Sequence, residues 1–283
     1  MALKDSTQLT TDLISDPSVY RLGLLISSMG VDVLVRSRFN DGTVVYRHID
    51  LASNLSQMNA LKEVVYDNPL LTAEFYSTDI VFDTDKFFVV PAALATDEEI
   101  ERRLTLLWPD ERLEATKITL HEGSKHEAVF VGAIDKTMLG FLRRTFIEPS
   151  IMVRMGLLTQ YLCMNNKVGN MGKIHVRVTP GRTDVIALNQ KGLLLVNSYS
   201  TECTDDSAYY TLAVARHLNY DETSDRILIG GDRKLRDSLT TALRRFVSLV
   251  MPDIMSESIS SAVENADALP FELLIAPLCQ RTN

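Results

Sequence analysis

Arg21-Leu-Gly-Leu-Leu-Ile-Ser-Ser-Met-Gly-Val-Asp-Val-Leu-Val35 and Lys173-Ile-His-Val-Arg-Val-Thr-Pro-Gly-Arg-Thr-Asp-Val-Ile-Ala187 align without a gap. Leu22 falls on Ile174, Leu24 on Val176, Ile26 on Val178, Ser27 on Thr179, Asp32 on Asp184, Val33 on Val185 and Leu34 on Ile186. Both stretches then pass a glycine turn, Asn40-Asp41-Gly42 in one and Lys191-Gly192 in the other, into a third apolar run, Val44 to Ile49 and Leu193 to Tyr199. Apolar alternation broken by Gly, Asn and Pro marks antiparallel hairpins. The chain therefore reads as a duplication, each half opening with a three-stranded meander.

After each meander the period changes from two to about 3.6. In the first half Leu55, Met58, Lys62 and Val65 share a helical face, with Asn54 and Gln57 suited to capping; Asp79 to Leu94 reads as strand. Thr96 and Glu99 form a capping box for a helix with Ile100, Leu104 and Leu107 on one face, stopped by Pro109. Ala128 to Ala133 reads as strand, and Asp135 caps a helix facing inward through Leu139, Leu142 and Phe146. In the second half Thr204 is the expected cap of a helix carrying Ala208, Leu212, Ala215 and Leu218. Arg226 to Ile229 is a short strand ended by Gly230-Gly231, Asp232 starts a helix with Leu235, Leu239, Leu243 and Phe246 on one face, and Phe271 to Ala276 is the expected last strand. Each half is thus β-β-β-α-β-α-β with a closing helix. The halves are expected at 1–150 and 151–283, with Ile151 to Asn170 as the join. Helices must cover the faces of such a sheet, and two units side by side are expected to leave a cleft, where ligands usually bind.

The chain has 283 residues, 46% apolar and 23% charged, with a formal net charge of −8. An acidic chain repels phosphate backbones, so no nucleic-acid partner is expected; the pairs Arg102-Arg103, Arg143-Arg144, Arg233-Lys234 and Arg244-Arg245 read as solvated helix faces. No segment is apolar enough to span a membrane, and Met1 to Asp16 lacks the apolar core of a signal peptide. Cys163, Cys203 and Cys279 are scattered and odd in number, which suits a reducing cytoplasm. His48, His121, His126, His175 and His217 show no metal-ligand spacing, and His121 and His126 flank a loop or hairpin tip. Trp108 reads as packing. The serine-rich stretch Asp253 to Ala268 reads as a candidate contact surface.

A duplicated β-β-β-α-β-α-β unit with the strand-turn-helix Ile227-Leu-Ile-Gly-Gly-Asp232 resembles the actin-like ATPase superfamily of ribonuclease H-like fold, which includes actin, sugar kinases and Hsp70-type chaperones. More narrowly, the order of elements, the length and the step Phe88-Val-Val-Pro-Ala92 before an acidic helix resemble the bacterial domain-of-unknown-function 3822 family, whose fold is actin-like. The resemblance implies a D-x-G turn between the first two strands of each half, with the aspartates managing magnesium and water and the glycine admitting the phosphates of ATP. Here those turns read Ser27-Ser28-Met29-Gly30 and Thr179-Pro180-Gly181: each keeps a glycine, Gly30 or Gly181, and neither has the carboxylate. Hydroxyls are poor magnesium ligands beside carboxylates, and Pro180 removes a backbone N–H. The resemblance also lays Gly230-Gly231 against the adenosine, although Asp232 is positioned to cap the following helix and occupy its free N–H groups. Asp32 and Asp184 read in two ways, as replacements for the missing carboxylates or as acceptors for backbone N–H groups at the hairpin turns. The expected function is a degenerate actin-like module that binds a protein partner, or assembles as a homo-oligomer, without ATP turnover. The rivals are an active ATPase or kinase with magnesium-ATP in a cleft marked by Gly30, Gly181, Gly230, Gly231, Asp32 and Asp184, and nucleotide binding without hydrolysis.

Overall fold

A computed structural model describes residues 14, 16–39, 44–122, 126–166, 172–221, 223–253 and 269–279. The tip between His121 and His126 and nearly all of the serine-rich stretch lie outside them. By its internal contacts the chain divides into two compact units, each interleaved along the sequence. One comprises Met1–Ile118, Phe130–Leu158 and Ser256–Asn283 as far as these are described, the other Thr119–Val129 and Thr159–Met255.

The first unit opens with β1 (Tyr20–Ile26), β2 (Gly30–Ser37) and β3 (Val44–Asp50), then α1 (Gln57–Asp67) and β4 (Ser77–Phe82). There follow β5 (Phe87–Pro91), α2 (Asp97–Leu107), β6 (Leu113–Glu122), β7 (His126–Asp135), α3 (Lys136–Thr145), β8 (Ser150–Val153) and α4 (Arg154–Asn165). The second series is β9 (Lys173–Thr179), β10 (Arg182–Asn189), β11 (Gly192–Ser200), α5 (Thr204–His217), β12 (Arg226–Gly231), α6 (Arg233–Leu243) and β13 (Val250–Pro252); the last described element is a helix, α7 (Phe271–Cys279). Among the described residues the strands form two five-stranded sheets, β3-β2-β1-β4-β8 and β11-β10-β9-β12-β13, and a three-stranded sheet β5-β7-β6.

The duplication extends to register. Leu22 pairs with Val35 and Leu24 with Val33, as Ile174 pairs with Ala187 and Val176 with Val185. These are the residues matched in the sequence alignment. The fourth strand joins the first in parallel in both sheets.

Three expectations are corrected. Asp79 to Leu94 is two strands in two sheets, broken at Asp83–Lys86. The strand at Ala128 to Ala133 belongs to the small sheet, and the fifth strand of the first large sheet is β8. The sequence resembled one long α/β alternation because an inserted β5-α2-β6-β7 segment has the same periodicities as the parent fold. Phe271 to Ala276 is helix, and β13 supplies the fifth strand of the second sheet. A short continuous apolar run fits a buried strand or a buried helix equally well; here it is buried on all sides, with Phe271 to Ala276 and Cys279 all covered. Burial pushes the Cys279 thiol up to about 12. Gly23 packs against this helix, where a Cβ would lie in ordinary contact, 3.4 Å from Cδ2 of Leu273.

The caps explain most helix starts. Thr96 accepts from the Glu99 N–H at 3.3 Å, and Asp135 accepts from the N–H groups of Thr137 and Met138 at 2.8 and 2.9 Å, as the sequence implies. α1 starts from Ser56, which accepts from the Asn59 N–H, so Asn54 and Gln57 leave the cap to the hydroxyl between them. α5 is capped at Cys203, one residue before the expected Thr204. Among the described residues no helix is long and apolar enough to cross a membrane.

Candidate functional site

The resemblance directs attention to the two β-hairpin turns and the strand-to-helix turn. In the first unit β1 and β2 pair through Ile26 and Val31, and the Ser27 N–H donates to the Gly30 carbonyl at 2.9 Å. The Ser27 hydroxyl folds back over the turn, accepting from the N–H groups of Met29 at 3.2 Å and Gly30 at 3.1 Å. The Ser27 carbonyl accepts from the amide of Gln57 on α1 at 3.2 Å. Two turn donors that a phosphate would need are thus taken by the chain's own side chain. Gly30 is small because His48 sits on it: a Cβ there would be 2.7 Å from the imidazole Cε1 and 2.7 Å from the Ile49 carbonyl.

Asp32 lies directly across from His48. It accepts from the Tyr46 hydroxyl at 2.8 Å and sits 2.7 Å from Nδ1 of His48, whose Nε2 is 3.4 Å from Asp50. Partial burial and the Asp32 carboxylate push the Tyr46 phenol well above its ordinary pKa. Partial burial works against charge on His48, but Asp32 and then Asp50 outweigh it, and the net shift is upward.

In the second unit Pro180 and Gly181 are the central turn residues, and Gly181 has φ +78°. Proline followed by a positive-φ glycine fits a type II turn. A Cβ on Gly181 would meet nothing within 4 Å. The Gly181 carbonyl accepts from the Thr201 N–H at 3.1 Å. Asp184 is 2% exposed; the Ser198 hydroxyl donates to it at 2.6 Å and Nε of Arg182 lies 3.3 Å away. Both aspartates therefore hold side chains, those of the third strand in each sheet and Arg182 in the second.

The strand-to-helix turn shows why its two glycines differ. Gly231 has φ +99°, and a Cβ there would lie 2.1 Å from the Val178 carbonyl. The Asp232 N–H donates to that same carbonyl at 2.8 Å. Gly230 is unstrained, with Cβ of Asp253 the nearest atom at 3.5 Å. The Asp232 carboxylate caps α6, accepting from the N–H groups of Lys234 and Leu235 at 3.0 Å each, as the sequence implies.

A pocket of about 390 Å³ brings part of this together. Thr179, Pro180 and Gly181 form one wall, Thr201 to Thr204 and Ser207 a second, Asp232, Lys234, Leu235 and Leu239 a third. Of the expected site residues only Gly181 lines it, with Asp232 beside Gly231; Gly30, Asp32 and Asp184 do not. Two of its hydroxyls, those of Thr201 and Ser207, belong to a buried network: Thr183 lies 3.1 Å from Thr201 and donates to Ser207 at 2.8 Å. The N-termini of α5 and α6 both reach the pocket, that of α6 capped by Asp232 and that of α5 preceded by two N–H groups that Asp206 takes. Asp206 accepts from the N–H groups of Glu202 and Cys203 at 2.9 and 3.2 Å, which hold its carboxyl below the usual range. Among the described residues no group of three or more His, Cys, Asp or Glu is arranged to hold a metal ion.

Tyr46, His48 and Ser198 are partners that only cross-strand pairing fixes, and Arg182 lies two residues before Asp184 on the same strand. One signal was present: Tyr46 follows Asp32 and Ser198 follows Asp184 by the same 14 positions.

The model of DUF3822, described as a protein of unknown function, matches residues 10–250. The chain belongs to DUF3822. Among solved structures, it is similar to a Bacteroides thetaiotaomicron protein with an actin-like ATPase fold and unknown function. The two are 22% identical with a TM-score of 0.72, over 91% of this chain and 96% of that one. It is also similar to a chain of the PilM-PilN type IV pilus biogenesis complex, 12% identical with a TM-score of 0.53, over 92% of this chain and 94% of that one. At these identities the likeness shows the fold, which is actin-like. No curated protein matches this DUF3822 chain.

Proposed function

We propose that this DUF3822 protein is an actin-like module that works by binding a protein partner and does not turn over ATP. The observation that carries this is the occupancy of the phosphate-facing donors. Ser27 caps its own turn, Pro180 has no N–H to offer, Asp232 caps α6, and Asp206 takes the N–H groups of Glu202 and Cys203 just ahead of α5. A phosphate would have to displace neutral or anionic oxygens already bonded to those N–H groups, and at α5 and α6 it would face a carboxylate. Asp32 and Asp184 are engaged by Tyr46, His48, Ser198 and Arg182, which opposes their recruitment as magnesium ligands.

Thermal denaturation with and without millimolar Mg-ATP tests the reading. A ligand at 100 times its Kd stabilises a fold by about 2.7 kcal/mol, a shift of several degrees. The expected shift is zero. A clear shift that disappears in Asp184→Asn would overturn the proposal in favour of a nucleotide-dependent enzyme; one that survives it would favour nucleotide binding without hydrolysis.

A further inference from the structure

One end of the first large sheet gathers three guanidinium groups around an exposed ring. Arg21 lies at the start of β1, Arg36 stands directly across from it on β2, and Arg38 follows the last residue of that strand. The Arg21 guanidinium lies over the Tyr76 ring at 5.0 Å and that of Arg38 over the same ring at 4.0 Å, with the Phe39 ring 5.2 Å from Arg38. Tyr76 is 49% exposed and Phe39 66%. Arg21 donates to the Ser77 hydroxyl at 3.1 Å. Among the described residues the ion pairs of this unit join other groups, and no carboxylate pairs with any of the three arginines. Burial and then Arg21 hold the Arg36 guanidinium below its ordinary pKa, and the attraction of the buried Asp79 does not offset them.

The fold does not demand this arrangement. Like charges directly opposite across two strands cost stability, and the duplicated sheet closes the same end without them. Its register puts Lys173 in the place of Arg21, Leu188 in the place of Arg36 and Arg226 in the place of Ser77. Asp225 precedes Arg226 as Tyr76 precedes Ser77, and its carboxylate accepts from the N–H groups of Gly172 at 2.7 Å and Asp221 at 2.9 Å. Where the second sheet has a leucine and a carboxylate, the first has a second arginine and an open ring.

We propose that Arg21, Arg36 and Arg38, with Tyr76 and Phe39, form the docking site for an acidic segment of the partner protein. Charge complementarity selects this occupant: three guanidinium groups held together without a carboxylate of their own call for carboxylates from outside. The guanidinium fork matches a carboxylate with two parallel hydrogen bonds, and arginine and tyrosine are the residues from which the strongest protein contacts are built. A nucleic acid would bring a long phosphate chain against a protein of net charge −8, whereas a short acidic segment touches only the basic patch. The assignment rests on the partner-binding reading and names the partner's chemistry. Its test reads peptide binding and the Mg-ATP test reads nucleotide binding, so either can fail alone.

Fluorescence anisotropy of a dye-labelled oligoglutamate peptide, titrated with the full chain at low salt, tests it. The expected result is saturable binding that weakens as salt is added and falls about tenfold or more when Arg36→Gln and Arg38→Gln are combined. Arg233→Gln combined with Arg245→Gln removes the same charge from two exposed positions of the second unit and should leave binding unchanged. Arg36→Leu installs the residue that the second sheet has at this place; it should raise the melting temperature while weakening binding. No binding, an equal loss in both double variants, or a lower melting temperature in Arg36→Leu overturns the proposal. Binding to phosphatidylserine vesicles or duplex DNA but not to the peptide overturns it too. If the Arg36–Arg38 double variant misfolds, Arg38→Glu at its exposed position decides: binding must fall, and unaltered binding overturns the site.

Discussion

The turn at Ser27–Gly30 and the turn at Thr179–Arg182 occupy the same place in the two sheets, with the same register on either side, yet their glycines are there for different reasons. Gly181 is there for its positive φ and has open space around it; Gly30 is there because the Ile49 carbonyl and the His48 ring fill the volume a side chain would need. They do not even occupy equivalent positions, since Gly181 falls on Met29 and Arg182 on Gly30. The fourth strands differ likewise. Gly231 pairs with Val178 where Phe82 pairs with Ile26. The following residue is aspartate in both, and its N–H meets the equivalent carbonyl, Ile26 for Asp83 and Val178 for Asp232. Asp232 caps a helix. Asp83 instead pairs at 2.8 Å with Arg154, a 3% exposed guanidinium that also reaches Glu272 at 3.3 Å. A duplicated fold keeps its hydrogen-bond frame and reassigns the side chains hung on it.

Substitutions can break this comparison. Gly231→Ala combines a hard clash with backbone strain and should cost the most, ~4 kcal/mol or more by chemical denaturation, whereas Gly230→Ala should cost under about 1 kcal/mol. Equal effects would refute the division of labour between the two glycines. Arg154→Ala leaves the buried Glu272 and the partly buried Asp83 without their shared guanidinium and should cost ~3–5 kcal/mol; Asp232→Ala, the loss of a cap at the equivalent place, should cost only ~1 kcal/mol. Gly30→Ala should destabilise by ~2–3 kcal/mol through its clash and be partly relieved by His48→Ala, since the Ile49 carbonyl remains. Gly181→Ala should cost ~1 kcal/mol, from its φ alone.

The smallest effect expected is that of pH on the Asp32–His48 pair. The native pKa of His48 is raised, so its contribution is complete below about pH 6.5, where the unfolded imidazole is also charged, and is lost as pH rises through the higher native value. With His48 43% exposed, solvent screening keeps the term small. Melting temperatures between pH 5.5 and 8.5 should show it in the unaltered chain and lose it in Asp32→Asn. Asp184 lies across from Ser198, not a histidine.

Much was legible because it is local. The meanders, the duplication, and the caps at Thr96, Asp135 and Asp232 follow from periodicity and from side chains reaching backbone two or three residues away. The missing turn carboxylates were visible by inspection. The strand expected at Phe271 to Ala276 was wrong because a short, mostly apolar run states burial without stating period. The assignment of β7 and β8 to their sheets was out of reach because it depends on pairing between residues far apart in the chain.

By itself, the sequence determined a twice-used actin-like plan and the absence of an aspartate from both hairpin turns; these are properties of residue type and spacing. Only the tertiary structure decided what replaced the aspartates. That Ser27 satisfies its own turn, that His48 sits on Gly30, and that Asp83 and Asp232 serve different neighbours all depend on which side chains cross-strand pairing and helix packing bring within 3 Å or so, and chain order does not encode that distance.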